Sequence, residues 1–344
     1  MATNPSQADT SIDREASRSD PVLQVTGLKV YFPLSRGIWS TSRTEFVRAV
    51  DDVTFHIGQA ETLGLVGESG CGKSTTGRAI VGLVRPTSGS IEFRGTELTS
   101  LGKGAYRLMR AGFQMVFQDP YSSLDPRATV GDIIEEPLLV HSLHKSSSAR
   151  KARVGELLNV VGLSRGAASR YPHEFSGGER QRIGIARAIS VEPDLIVADE
   201  PVSALDVSIR AQITNLLEDL QAKLKISFLF IAHDLAIVQR ISQRVAVMYL
   251  GRIVEIGTVA DVYSRPRHPY TVALLSAIPI ADPRAEKARR RIILTGGVPS
   301  ASNPPSGCAF RTRCWKAQAI CAEIRPPLEP SNGGHAAACH FPES

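Results

Sequence analysis

The chain has 344 residues, a hydrophobic fraction of 42% and a formal net charge of +6. That length supports a large core and one to three domains, and the composition is that of a globular protein. No run approaches the ~18 apolar residues of a membrane-spanning helix. The polar stretch 1–20 lacks the apolar centre of a signal peptide, so a disordered tail and a cytosolic location are expected.

Residues 22–66 read as strands with turns. Val22, Leu23, Val25, Leu28 and Val30 share one apolar stretch, a polar excursion follows from Ser35 to Arg43, and Val47 to Ile57 reads as a second strand pair. Thr62 to Val66 is a short apolar run of buried-strand character. Directly after it stands Gly67-Glu68-Ser69-Gly70-Cys71-Gly72-Lys73-Ser74, a complete G-x-x-x-x-G-K-[ST] phosphate loop, and Thr75 to Val81 reads as the first turns of a helix. Glycines let consecutive N–H groups curl around an anion, and the helix N-terminus adds its positive end. Lys73 can reach the β- and γ-phosphates of a nucleotide, and the Ser74 hydroxyl can hold Mg²⁺. Gly67 to Thr75 are therefore candidate nucleotide-binding residues.

Strands continue at Ser90 to Phe93 and Met115 to Phe117. From Asp119 to about residue 193 the pattern turns helical. Ile133, Ile134 and Leu138 mark one segment, and Val154, Leu157, Leu158 and Val161 another, with Ser146 to Ser148 as break and N-cap. Leu195 to Ala198 is a strand apolar on both faces, with Asp199 and Glu200 at its C-terminal end, the edge where open parallel sheets bind ligands. Asp199 is placed for the Mg²⁺ shell, and Glu200 to orient and deprotonate a water in line with the γ-phosphate. A helix from Ile209 to Leu224 and a strand from Phe228 to Ile231 complete the alternation of a parallel sheet with crossover helices. A hairpin follows around Gly251. Near residue 265 the composition shifts to Pro, Arg and Cys. The basic run Arg284, Lys287, Arg289, Arg290 and Arg291 reads as a solvated linker before it reads as an anion-binding patch.

The segment Phe175-Ser176-Gly177-Gly178-Glu179-Arg180-Gln181-Arg182 supplies a second glycine pair, with a helix expected from Gln181 to Ala188 directly after it. With this segment the chain resembles the ATP-binding subunits of ABC transporters. Ser176, Gly177, Gly178 and Glu179 look like the ABC signature, with Phe175 for the usual Leu and Glu179 for the usual Gln. Gln118 matches the Q-loop, Asp206 in Ser203-Ala204-Leu205-Asp206 the D-loop, and His233 the switch histidine. The resemblance implies an α/β P-loop NTPase fold, with a RecA-like parallel-sheet core, an antiparallel β subdomain, and a helical subdomain at about 119–193 inside a nucleotide-binding domain at 21–265.

It further implies ATP and Mg²⁺ as ligands, with Ser74, Gln118 and Asp199 around the metal. Glu200, His233 and Gln118 become the catalytic set. An aromatic on the first strand should stack on adenine, Phe32 by spacing and Tyr31 as runner-up. Two cassettes, self or paralogue, are expected to clamp each ATP between one chain's phosphate loop and the other's signature. A soluble ABC ATPase acting on ribosomes or DNA is the competing class, disfavoured by a single cassette without sustained heptads; a small-molecule kinase is disfavoured by the signature. No nucleic-acid partner is expected.

Residues 266–344 are expected to stand outside the ATP chemistry. Arg267-His268-Pro269-Tyr270-Thr271 and Leu274 to Pro279 look like the C-terminal extension of oligopeptide and dipeptide importers, a group that includes nickel importers, and the early excursion looks more F-type than D-type. The resemblance implies two membrane permeases, a solute-binding protein and a peripheral position at the cytoplasmic membrane face. Cys308, Cys314, Cys321 and Cys339 are spaced C-x5-C-x6-C-x17-C. Four thiolates can bind zinc or an iron–sulfur cluster, or remain free buried thiols. Zinc favours tighter pairs, and the family's similar pattern is associated with a [4Fe-4S] cluster, so the cluster leads, with Zn²⁺ as alternative and His335 and His340 as substitute ligands. Cys71 reads as a loop filler.

Overall fold

The computed structural model describes residues 20–34, 45–279, 282, 284, 291–330 and 334–343. The expectations for the N-terminal tail, for the excursion at 37–43, and for Lys287, Arg289 and Arg290 lie outside the described residues.

The first part of the chain gives β1 (Leu23–Pro33), β2 (Phe46–Ile57), β3 (Thr62–Val66), α1 (Lys73–Ile80), β4 (Ser88–Phe93) and β5 (Thr96–Glu97). Helix α2 (Lys103–Met109) and β6 (Phe113–Val116) lead into α3 (Val130–Val140), α4 (Ser147–Val160) and α5 (Gly177–Ile189). Then follow β7 (Leu195–Asp199), α6 (Val207–Leu224), β8 (Ser227–Ala232), α7 (Leu235–Ile241), β9 (Arg244–Tyr249) and β10 (Arg252–Thr258). The remainder contributes α8 (Val259–Ser264), α9 (Pro269–Ser276), α10 (Ile320–Glu323), β11 (Glu329–Pro330) and β12 (Ala336–Ala337).

One antiparallel sheet has the order β2-β1-β4-β5, and a larger mixed sheet the order β11-β12-β10-β9-β3-β8-β7-β6. In the larger sheet β9, β3, β8, β7 and β6 run parallel. The reason is legible along β7 and β8, where every residue is buried. Ile196, Ala198, Phe228 and Phe230 face a core built with the helices, including Ile183, Ile213 and Val238. Leu195, Val197, Leu229 and Ile231 alternate to the other face, against Leu23, Val25 and Phe55 of the antiparallel sheet. A strand covered on both faces needs no polar alternation, and each Leu, Ile, Val or Phe side chain buried there contributes about 1.5–3 kcal/mol.

The helical insertion packs as its spacing predicts. Ile133, Ile134, Val154, Leu157, Leu158 and Val161 are buried together, and the Ser146 hydroxyl caps α4 by accepting the Ala149 N–H at 3.1 Å. Two expectations are corrected. The pair of strands read between Val47 and Ile57 is one strand, β2, running along β1, with Asp52 in the left-handed region (φ 69°) where the register shifts. The signature helix opens on its glycines rather than after them, because Ser176 is its N-cap in a capping box with Glu179.

The tail joins the motor rather than trailing from it. β12 extends the large sheet beside β10. Glu255 on β10, fully buried, accepts the backbone N–H groups of Arg267 and His268 at 2.7 and 2.8 Å, and lies 2.7 Å from Nε2 of His335.

Candidate functional site

Four parallel strands end on one edge of the large sheet, and each end delivers one of the expected site segments there. β3 runs into the loop 67–72, β6 into Gln118, β7 into Asp199 and Glu200, and β8 into His233. In that loop Gly72 has φ 108°, and a Cβ there would collide with the Ala49 carbonyl oxygen, so the close turn against β2 requires glycine. Helix α1 starts immediately after it, at Lys73.

Lys73, buried, donates from Nζ to the carbonyl oxygens of Gly67 (2.8 Å) and Glu68 (3.0 Å). The Ser74 hydroxyl donates to Oδ1 of Asp199 at 2.7 Å, which brings two of the three expected Mg²⁺ residues together across 125 residues of sequence, while the Gln118 side chain bonds to Glu200. Burial pushes the Asp199 carboxyl above its ordinary range; the Ser74 hydrogen bond and the charges of Arg78 and Lys73 pull it back, while Glu200 pushes it up. Arg78, 4.0 Å from Asp199, carried no signal in the sequence.

Glu200 has a left-handed backbone (φ 45°), a conformation costing a non-glycine residue of order 1 kcal/mol. Its N–H donates to the Ile231 carbonyl at 2.9 Å. Nε2 of Gln118 donates to Glu200 Oε2 at 3.0 Å, and Nδ1 of His233 lies 3.3 Å from the same oxygen. The three expected catalytic residues therefore meet at one carboxylate.

The signature stands apart. Ser176 Oγ accepts the Glu179 N–H at 3.3 Å, while the Glu179 carboxylate accepts from the Ser176 N–H (2.9 Å) and hydroxyl (2.7 Å). These bonds hold the Glu179 carboxyl below its usual range. Asp206 is exposed at the N-terminus of α6. Among the described residues, no hydrogen bond or ion pair joins Ser176 to Glu179, or Asp206, to the phosphate loop. Tyr31 and Phe32 differ in their engagement. The Tyr31 hydroxyl donates to Asp51 at 2.5 Å, and burial with that bond pushes its pKa up to about 12. Phe32 is 41% exposed.

The tail, expected to stand aside, touches the phosphate loop. Arg313 forms a two-pronged pair with Glu68, Nη1 to Oε2 at 2.7 Å and Nη2 to Oε1 at 3.0 Å, and the Tyr270 hydroxyl accepts the Glu68 N–H at 2.9 Å. Tyr270 belongs to a segment the sequence singles out; Arg313 does not. Cys308, Cys314, Cys321 and Cys339 line one small cavity with His268, Phe310 and His340. Burial raises the thiol pKa of Cys308 and Cys314, and that of Cys339 to about 11. Among the described residues no three Cys, His, Asp or Glu side chains stand close enough to hold a single metal ion. No described helix is long and apolar enough to cross a membrane.

Residues 50–203 match the family described as ABC transporter, and residues 254–321 the oligopeptide/dipeptide transporter C-terminal region. The chain is 54% identical over 321 residues to a putative oligopeptide transport ATP-binding protein, YkfD, of Bacillus subtilis, covering 93% of this chain and 95% of that protein. It is 52% identical over 313 residues to the oligopeptide transport ATP-binding protein OppF of Escherichia coli, covering 90% and 93%. Its fold matches the solved dimeric post-hydrolysis state of the ATP-binding cassette MJ0796 bound to ADP and Pi, with a TM-score of 0.61, 26% identity, and coverage of 69% of this chain and 98% of that one.

Proposed function

The chain belongs to the ATP-binding subunits of ABC transporters that carry the oligopeptide/dipeptide C-terminal region, and from that premise we propose that it powers uptake of oligopeptides or dipeptides through separate membrane permeases. It is an ATPase of the cassette type. The observation that carries the mechanistic reading is the meeting of Gln118 and His233 on one oxygen of Glu200, beside the Ser74–Asp199 pair.

On this reading the loop 67–75 cradles the phosphates and Lys73 leaves its carbonyl partners for them. Mg²⁺, whose fit is the Ser74 hydroxyl beside a buried carboxylate, neutralises phosphate charge when bound. Glu200 takes the proton of the attacking water, and His233 and Gln118 fix the carboxylate's direction. Among the described residues no donor of the Ser176–Glu179 segment reaches the phosphate loop. A second cassette, copy or paralogue, supplies such donors from its own Ser176–Glu179 segment, or the equivalent one. Loss of the γ-phosphate then loosens the sandwich, which converts hydrolysis into motion.

The permeases and a solute-binding protein complete the importer, which places this chain on the cytoplasmic membrane face. In the tail, four thiols around one cavity support a [4Fe-4S] cluster rather than one Zn²⁺. A single zinc gathers four sulfurs at about 2.3 Å, whereas a cluster spreads its four thiolates over separate irons. When bound, the cluster supplies cross-linking of the tail.

The experiment is reconstitution of the chain with candidate permease subunits from its own organism, in lipid vesicles holding ATP, with labelled di- to pentapeptides and Ni²⁺ offered in the presence of a candidate solute-binding protein. Peptide uptake dependent on ATP supports the reading; uptake of Ni²⁺ alone, or ATPase stimulated by nucleic acid and not by permease, overturns it.

A further inference from the structure

A phosphate loop collects positive potential: bare N–H groups, a helix N-terminus and a lysine. Glu68 puts a full negative charge into the same loop. Left alone, it would repel the polyphosphate that the loop receives. The structure answers that charge from the tail. Arg313, with a side chain only 7% exposed, closes on both carboxylate oxygens of Glu68 across 245 residues of sequence. A bidentate guanidinium–carboxylate pair is the strong form of this contact. Arg313 is itself framed by aromatic packing: its guanidinium lies 5.9 Å from the Tyr249 ring centre, and Tyr249, Tyr270 and Phe310 pack mutually. Glu68 is held at three points, since Tyr270 takes its N–H and Lys73 its carbonyl.

We propose that Arg313 is a positioning residue for nucleotide binding: it neutralises Glu68 at the lip of the phosphate loop, so that the C-terminal extension sets the affinity for ATP. A passive strut between tail and motor would use the same contact. The two differ in one respect. Charge neutralisation acts in proportion to the phosphate charge of the ligand, and a strut is indifferent to it.

The test uses the full chain, titrated with ATP, ADP and adenosine, for wild type, Arg313→Gln, and Arg313→Gln combined with Glu68→Gln. Arg313→Gln is expected to weaken ATP binding about tenfold, inside the 5- to 150-fold span usual for coupled sites, to weaken ADP less, and to leave adenosine within about twofold. Removing the orphaned carboxylate in the double variant should recover most of the ATP affinity. Equal loss for all three ligands, no loss, or no recovery would overturn the proposal. If Arg313→Gln does not fold, because one partner of a nearly buried pair is gone, the double variant is compared with Arg313→Lys combined with Glu68→Gln. The surplus positive charge should then tighten ATP but not adenosine, and equality for ATP overturns the proposal. The inference rests on residues 67–74 being the phosphate cradle. A wild type that binds adenosine as well as ATP would overturn both, whereas a wild type that prefers ATP, with Arg313 variants keeping that preference unchanged, would overturn this inference alone.

Discussion

Nδ1 of His233 stands 3.3 Å from Oε2 of Glu200, across the gap between the ends of β8 and β7. Parallel pairing of those strands, with Asp199 in register with Ile231, fixes the separation. The carboxylate is thereby contacted from two sides, by Gln118 and by His233. Glu200→Gln keeps the size of the side chain and removes the carboxylate proposed as the base. Turnover should fall by ~10²-fold or more, the usual share of a positioned general base, while ATP binding persists and the two-cassette complex accumulates. Steady-state phosphate release and size-exclusion chromatography with ATP measure both, and near-normal turnover would take Glu200 out of the role. Lys73→Ala should act differently, weakening nucleotide binding itself.

The proposed adenine stack distinguishes two neighbours. Phe32→Ala should weaken ATP binding by the ~1–3 kcal/mol that a base–aromatic stack is worth, with a smaller effect on free triphosphate. Tyr31→Phe, which loses only the hydroxyl bond to Asp51, should weaken it less. Competition titrations of ATP and triphosphate read this out, and the reverse order would assign the platform to Tyr31.

His268 predicts a pH dependence. Complete burial pushes its pKa down to about 3 from an ordinary 6.5, so the folded chain keeps it neutral while the unfolded chain protonates it. Its contribution to stability is therefore full above pH 6.5 and is lost progressively as pH falls from 6.5 toward 3. The slope approaches about 1.4 kcal/mol per pH unit. Its Nδ1 accepts the Tyr270 N–H at 3.1 Å, capping α9. Asn preserves such a cap without titrating, so His268→Asn should flatten the decline of melting temperature between pH 7 and pH 5. An unchanged slope would assign the acid sensitivity elsewhere.

The proposed cluster has a spectroscopic consequence. Anaerobically purified chain should be brown and carry iron and sulfide, and Cys308→Ser, Cys314→Ser, Cys321→Ser or Cys339→Ser should each bleach it. Stoichiometric zinc without iron would reverse the proposal, and metal-free colourless protein in which all five cysteines, Cys71 included, titrate as free thiols after unfolding would leave the four of the tail as core side chains.

Much of the motor is legible in the residues because its chemistry is local. A glycine loop between a strand and a helix, or an acidic pair ending an apolar strand, carries its geometry within a few residues. The sequence places the start of the signature helix at Gln181, with an N-cap at Ser176 as the alternative, and the structure starts it at Gly177. Ser176 and Glu179 cap each other, so the helix starts on glycines that alone would disfavour it. Val47 to Ile57 reads as a strand pair in sequence but is one strand whose register against β1 shifts at Asp52.

The sequence by itself determined the order of motifs, the two-face burial of β7 and β8, and the helical insertion, since periodicity and turn chemistry act over neighbours in the chain. Only the tertiary structure decided which distant groups share a contact: Ser74 with Asp199, Gln118 and His233 with Glu200, and Arg313 with Glu68. Those contacts join segments up to 245 residues apart, and their geometry comes from parallel strand register and from a tail that adds its own strands to the sheet. Charge pairing over such distances leaves no period in the chain to be read.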